Sequence, residues 1–208
     1  METTVICESS NTTATLKTIY QRRAVRKYKD QPVDKKLIEQ VLDAGRMAPS
    51  AMNSQSWKFY VFANKETIKI MSKEIKKAAA KDFLKSGLKQ IIKMAAALFH
   101  IGPGIDFLKT EDPVFYGAAV VIFITAPKDN EWAALDIGMC AQNMMLAAKS
   151  LGLDSCPVGF GKYLEHTNSY VLLKTKTSQQ LQLAIILGYG NENPPVHKRK
   201  TDNVFFID

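Results

Sequence analysis

Residues 131–151, EWAALDIGMCAQNMMLAAKSL, are apolar almost all round when they are placed on a helix. A helix with apolar residues on every face is expected to be buried on every face. Because a chain of 208 residues offers few such places, a second subunit is expected to cover one face of this helix. Gly152 follows at a position where glycine commonly ends a helix.

Strand and helix patterns alternate on either side of this stretch. The expected strands are at 57–63, 118–125, 154–159 and 181–188. Helical patterns are at 15–22, at 34–46 and, in two parts broken near Gly87, at 67–99, and residues 101–113 form a Gly- and Pro-rich loop. Strands interleaved with helices predict an α/β or α+β sheet of four to five strands.

The composition favours one soluble globular domain. The chain is 46% hydrophobic and 23% charged, with no repeat or linker, so residues 1–208 are expected to form a single domain and 1–14 a disordered extension. No apolar run approaches the roughly 18 residues of a membrane helix, and no secretion signal begins the chain. Cys7, Cys140 and Cys156 lack C-x-x-C spacing, which fits a reducing cytoplasm.

The net charge of +8 would attract an anionic ligand. Much of the excess lies in residues 69–93, where lysines alternate with apolar residues as on the outside of helices, and no nucleic-acid-binding motif accompanies it. His100, His166 and His197 are scattered, so neither they nor the cysteines predict a metal site. Hydrolase, Walker and G-x-G-x-x-G motifs are absent from the sequence.

Three polar segments could carry chemistry. Residues 22–28, RRAVRKY, would place Arg22, Ala24 and Arg26 on one side of an extended segment, where paired guanidiniums suit a phosphate; a solvated basic turn is the alternative. Residues 48–57, APSAMNSQSW, offer hydroxyl and amide groups that suit a sugar chain or a heteroaromatic ring, or that cap a local turn. Residues 197–200, HKRK, precede an apolar tail that should dock and so fix these cations.

Together these segments resemble the nitroreductase family over residues 22–204. The resemblance rests on R-R-x-V-R at 22–26, on A-P-S-x-x-N-x-Q-x-W at 48–57, and on D-I-G, A-Q-N, L-A-A and L-G-L within 136–153. It implies an α+β fold of three layers, α-β-α, with a central, mostly antiparallel sheet of four to five strands. It also implies an obligate homodimer that exchanges its C-terminal tails and binds FMN at two interface sites.

The resemblance also assigns roles to residues. It places Arg22, Arg23 and Arg26 at the flavin phosphate, ribityl chain and pyrimidine edge, takes the loop 49–55 from the partner subunit, and sets the turn 157–159 beside the reactive flavin nitrogen. Ala24 replaces a usual Ser and Ser56 a usual Pro, but neither change removes a charge. The expected flavin contacts are Arg22, Arg23, Ala24, Arg26, Pro49, Ser50, Ala51, Asn53, Gln55, Pro157, Val158, Gly159 and, for the phosphate, Lys198 with Lys200 or Arg199.

The activity implied is reduction of nitroaromatics, quinones or similar acceptors by NADPH or NADH in a ping-pong reaction. Arg26 is expected to stabilise the negative charge that develops near flavin N1 and the C2 carbonyl. Residues 80–115, with Phe83, Leu84, Phe99, Ile105, Phe107 and Phe115, are either a lid over the flavin or a helical layer packed on the core. A non-catalytic FMN carrier or redox sensor of the same fold is the alternative function.

Overall fold

One antiparallel sheet forms the centre of the protein. The computed structural model describes residues 13–85 and 112–207. Within them the strands are β1 (Lys58–Phe62), β2 (Val120–Pro127), β3 (Asp154–Val158) and β4 (Gln179–Gly188), in the order β1-β2-β4-β3. All three pairings are antiparallel, which confirms the α+β fold and a sheet of four strands in the described residues.

The two central strands are the most apolar. Every residue of β2 from Val120 to Ala126 is buried, because helices cover both faces of the sheet at this strand. Its register against β4 shifts by one residue between Ile124 and Thr125, where the β-bulge interrupts the ladder.

In the part of the chain that the structure describes, four helices surround the sheet: α1 (Ala14–Gln21), α2 (Lys35–Arg46), α3 (Lys65–Lys85) and α4 (Ala133–Ser150). The Asp34 side chain accepts a hydrogen bond from the Lys36 backbone N–H at 2.8 Å and so caps α2. Gly152, with φ +78°, follows α4 in the left-handed conformation that glycine adopts readily. These boundaries lie within two residues of those expected, except at the end of α3, where the expected boundary lies outside the described residues.

The helices form a layer on each face of the sheet. On one face α2 and α4 pack on each other and on residues that include Val41, Ile122, Met144 and Leu187. On the other face α3 packs with two 3₁₀ segments, Gly159–His166 and Asn168–Leu173, around Ile75, Phe123 and Ile186. The sequence did not predict these 3₁₀ segments. The expected α-β-α layering is confirmed.

The single chain leaves one face of α4 open. Asp136, Ile137, Cys140 and Met144 are buried, but the Leu135 side chain is 56% exposed and Trp132 before the helix is 47% exposed. Burial on every face is therefore wrong for the isolated chain. The open face is the one left for the second subunit that the sequence predicts.

The suggested lid is described only at its ends. Phe115 is fully buried against Phe123, with ring centroids 5.8 Å apart, so it belongs to the core and not to a lid. Residues 86–111 and the side chains of Phe83 and Leu84 lie outside what the structure describes. No helix within 13–85 and 112–207 is long and apolar enough to cross a membrane.

The C-terminal tail runs along the outside of the single chain. After β4, residues 191–207 contain neither helix nor strand. Their last apolar side chains are almost fully exposed, at 92% for both Phe206 and Ile207. These residues bury little surface on their own chain.

Candidate functional site

The basic segment 22–28 is fixed to the sheet along one side. Ala24 forms a parallel bridge with Ser155 of β3, and the Val25 backbone N–H donates to the Ser155 carbonyl oxygen at 3.1 Å. Val25 is buried, whereas Arg22, Ala24 and Arg26 are half-buried on the other side of the extended backbone. The local fold therefore turns two arginines away from the core.

The residues after β4 hold the same segment from its other side. Tyr28 forms an antiparallel bridge with Gly190, and the Asn191 backbone N–H donates to the Lys27 carbonyl oxygen at 2.8 Å. The Arg26 backbone N–H donates to the Glu192 carboxylate. Because its backbone is hydrogen-bonded on both sides, the segment has a fixed backbone conformation without a ligand.

The guanidiniums of Arg22, Arg26 and Arg199 lie in one region beside β3. Burial raises the pKa of the Cys156 thiol, and the charges of Arg26 and Arg22 oppose that rise, so both guanidiniums lie near this sulfur. Burial, followed by the charge of Arg23, lowers the pKa of Arg22, and Arg199 of the tail adds to the effect. Within the described residues, neither Arg22 nor Arg199 has a carboxylate partner.

Arg23 differs from Arg22, because its guanidinium is already hydrogen-bonded to backbone carbonyl oxygens. Its guanidinium turns back and donates to the Tyr20 carbonyl oxygen at 2.6 Å and to the Arg22 carbonyl oxygen at 2.7 Å. These bonds fix the end of α1 and give Arg23 a supporting position. Lys198, Arg199 and Lys200 are all exposed, and of these three tail cations only Arg199 contributes to the lowered pKa of Arg22.

Tyr116 adds a hydroxyl to this cluster. Burial raises the pKa of Tyr116, and the nearby positive charge of Arg26 opposes that rise. Its φ of +57° is rare for a bulky residue. The buried Asp112 carboxylate holds the turn by accepting from the Phe115 and Gly117 backbone N–H groups, both at 2.9 Å.

The loop 49–57 has a strained backbone. Met52, Asn53 and Gln55 have φ of 51°, 52° and 44°, a left-handed conformation that side chains other than Gly, Asn and Asp rarely adopt. Ser50 supports the turn, since its hydroxyl accepts from the Gln55 backbone N–H at 3.0 Å. The side chains of Asn53 and Gln55 are exposed and bond to each other at 2.9 Å.

Side-chain hydrogen bonds to this loop from outside it come from the start of α4. Asp136 accepts from the Ala51 backbone N–H at 3.1 Å, and the Asn130 side chain donates to the Ser56 hydroxyl at 2.9 Å. Both bonds lie at the N-terminal end of the helix. The basic segment, by contrast, pairs with Ser155, just beyond the C-terminal end of the same helix.

A single chain therefore separates the two groups of predicted site residues. From Asp136 to Ser150, α4 rises about 21 Å at 1.5 Å per residue. The arginines lie near one end of it and the hydroxyl and amide side chains near the other.

The turn 157–159 lies on the arginine side. Val158 is buried at the end of β3, and Pro157 and Gly159 are exposed. A Cβ at Gly159 would meet no atom within 4 Å, so the space beside this backbone is open within the described residues. A flat ligand could approach the main chain here closely.

Sequence reasoning missed the roles of three residues in this region, although Asp136 belongs to the D-I-G motif. Glu192 stands in a polar loop after a strand, Tyr116 at a Tyr-Gly turn before one, and Asp136 as a single carboxylate in an apolar helix. Only the last is a clear signal, because an acidic residue among apolar ones needs a partner. Of the histidines, His166 packs on Tyr163, His197 is exposed, and His100 lies outside the described residues.

Comparison with known proteins agrees with this geometry. The model of the Nitroreductase family matches residues 19–189. A 4-nitrobenzoate reductase of Pseudomonas putida is 28% identical over 204 residues, covering 86% of each chain, and a nitrobenzene nitroreductase of Ectopseudomonas oleovorans is 27% identical over 198 residues, covering 85% of this chain and 87% of that one. A nitroreductase with bound FMN from Bacteroides fragilis, 25% identical, superimposes with a TM-score of 0.75 over 95% of this chain and 100% of its own.

Proposed function

This chain belongs to the nitroreductase family, and we propose that it is a homodimeric, FMN-dependent oxidoreductase that uses NADPH or NADH to reduce small oxidised acceptors. Nitroaromatic compounds are the acceptor class that the names of its relatives favour, and quinones are chemically similar substrates. We further propose that residues 1–208 act as one domain in the cytoplasm.

The cation cluster beside β3 carries the proposal. Arg22 is partly buried among other cations and has no carboxylate partner in the described residues, an arrangement that destabilises the empty chain. A phosphate group would neutralise it and accept the planar forks of donors that guanidiniums offer. The family's cofactor is anionic at this end, so the residues present fit FMN.

Each residue group has a separate task in this proposal. Arg22 and Arg199, with Lys198 and Lys200 close by in sequence, would hold the phosphate, and Arg26 would face the pyrimidine edge. Ser50, Asn53 and Gln55 of the partner subunit would bind the ribityl chain and the ring from the other side. The open backbone at Gly159 would lie against the ring.

Bound FMN would supply hydride transfer, taking a hydride from the nicotinamide and giving it to the acceptor. The chain's own residues orient and stabilise. Arg26, whose backbone N–H is bonded to Glu192, would hold a fixed positive charge where negative charge develops, with the Tyr116 hydroxyl nearby. Burial raises the pKa of the Cys156 thiol, which keeps it a neutral wall of the site and not a nucleophile.

The apolar surfaces that a single chain leaves open support the dimer. Met47 is 80% exposed and lines a groove with Asn143 and Ala147 of α4, and Met52, next to the Ala51 that bonds to Asp136, is 94% exposed. The tail with Phe206 and Ile207 needs a surface that its own chain does not provide. A second copy would cover the open helix face and accept the tail, and it would bring its loop to the first chain's arginines.

An absorption spectrum tests the proposal. Purified protein supplied with FMN should show the flavin bands between about 350 and 450 nm, and anaerobic NADPH or NADH should bleach them before an added nitroaromatic restores them. A bound flavin that neither nicotinamide bleaches would favour the carrier or sensor. Protein that retains no FMN would contradict the cofactor and with it the function.

A further inference from the structure

The Asp136 carboxylate is buried, and in the described residues only one of its two oxygens accepts a hydrogen bond. The residue is 1% exposed in the first turn of α4. Its Oδ1 accepts from the Ala51 backbone N–H at 3.1 Å, while Oδ2 has no hydrogen-bond partner among the described residues. A buried carboxylate with one neutral donor contributes poorly to stability, because its desolvation is barely compensated.

The position of the bond explains what such a carboxylate can do. Ala51 begins the 3₁₀ turn Ala51–Asn53, and its N–H is one of the donors that a helix start leaves unsatisfied. Ser50, the capping residue, makes no side-chain cap of its own there. Asp136 supplies that cap from 85 positions along the chain.

The turn needs an outside constraint. Met52, Asn53 and Gln55, all with positive φ, follow Ala51 at once, and strained backbone persists only where its surroundings over-determine it. The other bonds of the turn are internal and move with it, such as that from the Gln55 backbone N–H to Ser50. Asp136 and Asn130 connect the loop to α4.

We propose that Asp136 is a positioning residue of the flavin site, which holds the loop 50–55 in the conformation that presents Ser50, Asn53 and Gln55 to the flavin of the partner subunit. It acts through the Ala51 N–H and does not touch the cofactor. The inference rests on the proposed function, because the conformation of the loop affects the flavin site only if the loop binds FMN.

Two substitutions remove the bond from opposite sides. Asp136→Ala removes the acceptor, and Ala51→Pro removes the N–H donor while suiting the first position of a helical turn. Ser50 before it, at φ −143° and ψ 151°, is already in the conformation that a following proline requires. Asp136→Asn keeps an acceptor oxygen, and Glu131→Gln removes an exposed charge at the same helix end as the matched control.

We expect Asp136→Ala and Ala51→Pro each to weaken FMN binding about tenfold, and the double variant to be no weaker than either, because one bond is lost in all three. Asp136→Asn and Glu131→Gln should bind FMN as the wild type does. Titration of the apoprotein with FMN gives the affinity, and circular dichroism and sedimentation check that fold and dimer persist.

Other results overturn the inference. Unchanged FMN affinity in Ala51→Pro would do so, even if Asp136→Ala failed to fold. A lower apoprotein melting temperature with unchanged FMN affinity would show a merely structural role. Wild-type apoprotein that takes up no FMN would instead refute the proposed function, and the two failures are distinguished because the first requires a wild type that binds.

Discussion

The basic segment 22–28 and the loop 49–57 differ in how they are held. The segment is paired with β3 on one side and with residues 190–192 on the other, so its backbone is part of the sheet's edge. The loop is exposed at 52–55, has three left-handed residues and is hydrogen-bonded to the rest of its chain by the side chains of Asp136 in α4 and Asn130 just before it. The basic segment is therefore fixed within its own chain, whereas the loop faces outward.

This difference shows how a site can be divided between two chains. The anchored arginines form an anion site that is ready before any ligand arrives, which lowers the cost of ordering it. The loop presents polar side chains to a space its own chain does not fill. In a dimer, the basic segment of each chain would lie beside the loop of the other chain, which gives two equivalent interface sites.

Removing the anchor should have the largest effect. Arg22→Ala should weaken FMN binding about 100-fold, because it deletes a charge-assisted donor pair to the phosphate. The melting temperature of the apoprotein should not fall, since the variant loses an unneutralised cation and no ion pair. Titration with FMN and a thermal melt measure the two quantities.

Arg46→Ala is the control for this change. It removes a guanidinium that is already paired with Asp43 and lies over the Phe59 ring. FMN affinity should stay at the wild-type value in this variant. Equal weakening in both would mean that Arg22 acts through general charge and not through the site.

Gly159 combines features of both regions, because it directly follows β3 and the space beside its backbone is open. Gly159→Val adds a side chain where a Cβ meets nothing within 4 Å, so the apoprotein should fold and melt as before. FMN binding should weaken at least about tenfold, because the side chain occupies the place proposed for the ring. Wild-type binding by this variant would remove the turn 157–159 from the site.

Substitution of Glu192 tests whether its bond to the Arg26 backbone N–H stabilises the basic segment. Glu192→Ala should lower the unfolding free energy by about 1–2 kcal/mol, since the Arg26 backbone N–H loses its acceptor. Glu192→Gln retains an acceptor oxygen and should restore most of that stability. Denaturant unfolding of the two variants measures the difference, and equal losses would show that the charge of Glu192 matters and not the bond.

The smallest effect is expected from relieving strain in the loop. Met52→Gly should raise the unfolding free energy of the chain by less than about 1 kcal/mol, because glycine adopts φ of 51° without steric cost but gains more freedom when unfolded. The exposed Met52 side chain is also proposed to lie in the dimer contact. A weaker dimer with a more stable chain, seen by sedimentation and denaturation, would separate these two contributions.

Local sequence signals predicted the elements well. The apolar run of β2 and the spacing of Ile38 and Val41 in α2 gave correct elements, because periodicity reports burial directly. The 3₁₀ segments between β3 and β4 escaped prediction, since short turns lack a period that a sequence pattern can reveal.

Long-range contacts could not be predicted in the same way. The bond between Ala51 and Asp136 joins residues 85 apart, and Arg199 lies near Arg22 although it comes from the opposite end of the chain. The family motifs named the arginines and the loop but not what holds them. Nor could periodicity show that α4 leaves Leu135 exposed, because an apolar face looks alike whether a core or a partner covers it.

A mixed dimer tests the division of the site most directly. One chain carries Arg22→Ala and the other carries Asn53→Gly with Gln55→Gly, which removes the loop's side chains without adding strain. Each homodimer should bind FMN weakly. The heterodimer, isolated through two affinity tags, should bind one FMN with wild-type affinity, because one of its two sites combines intact arginines with an intact loop. A heterodimer without any tight site would show that each chain builds its site alone and would contradict the account.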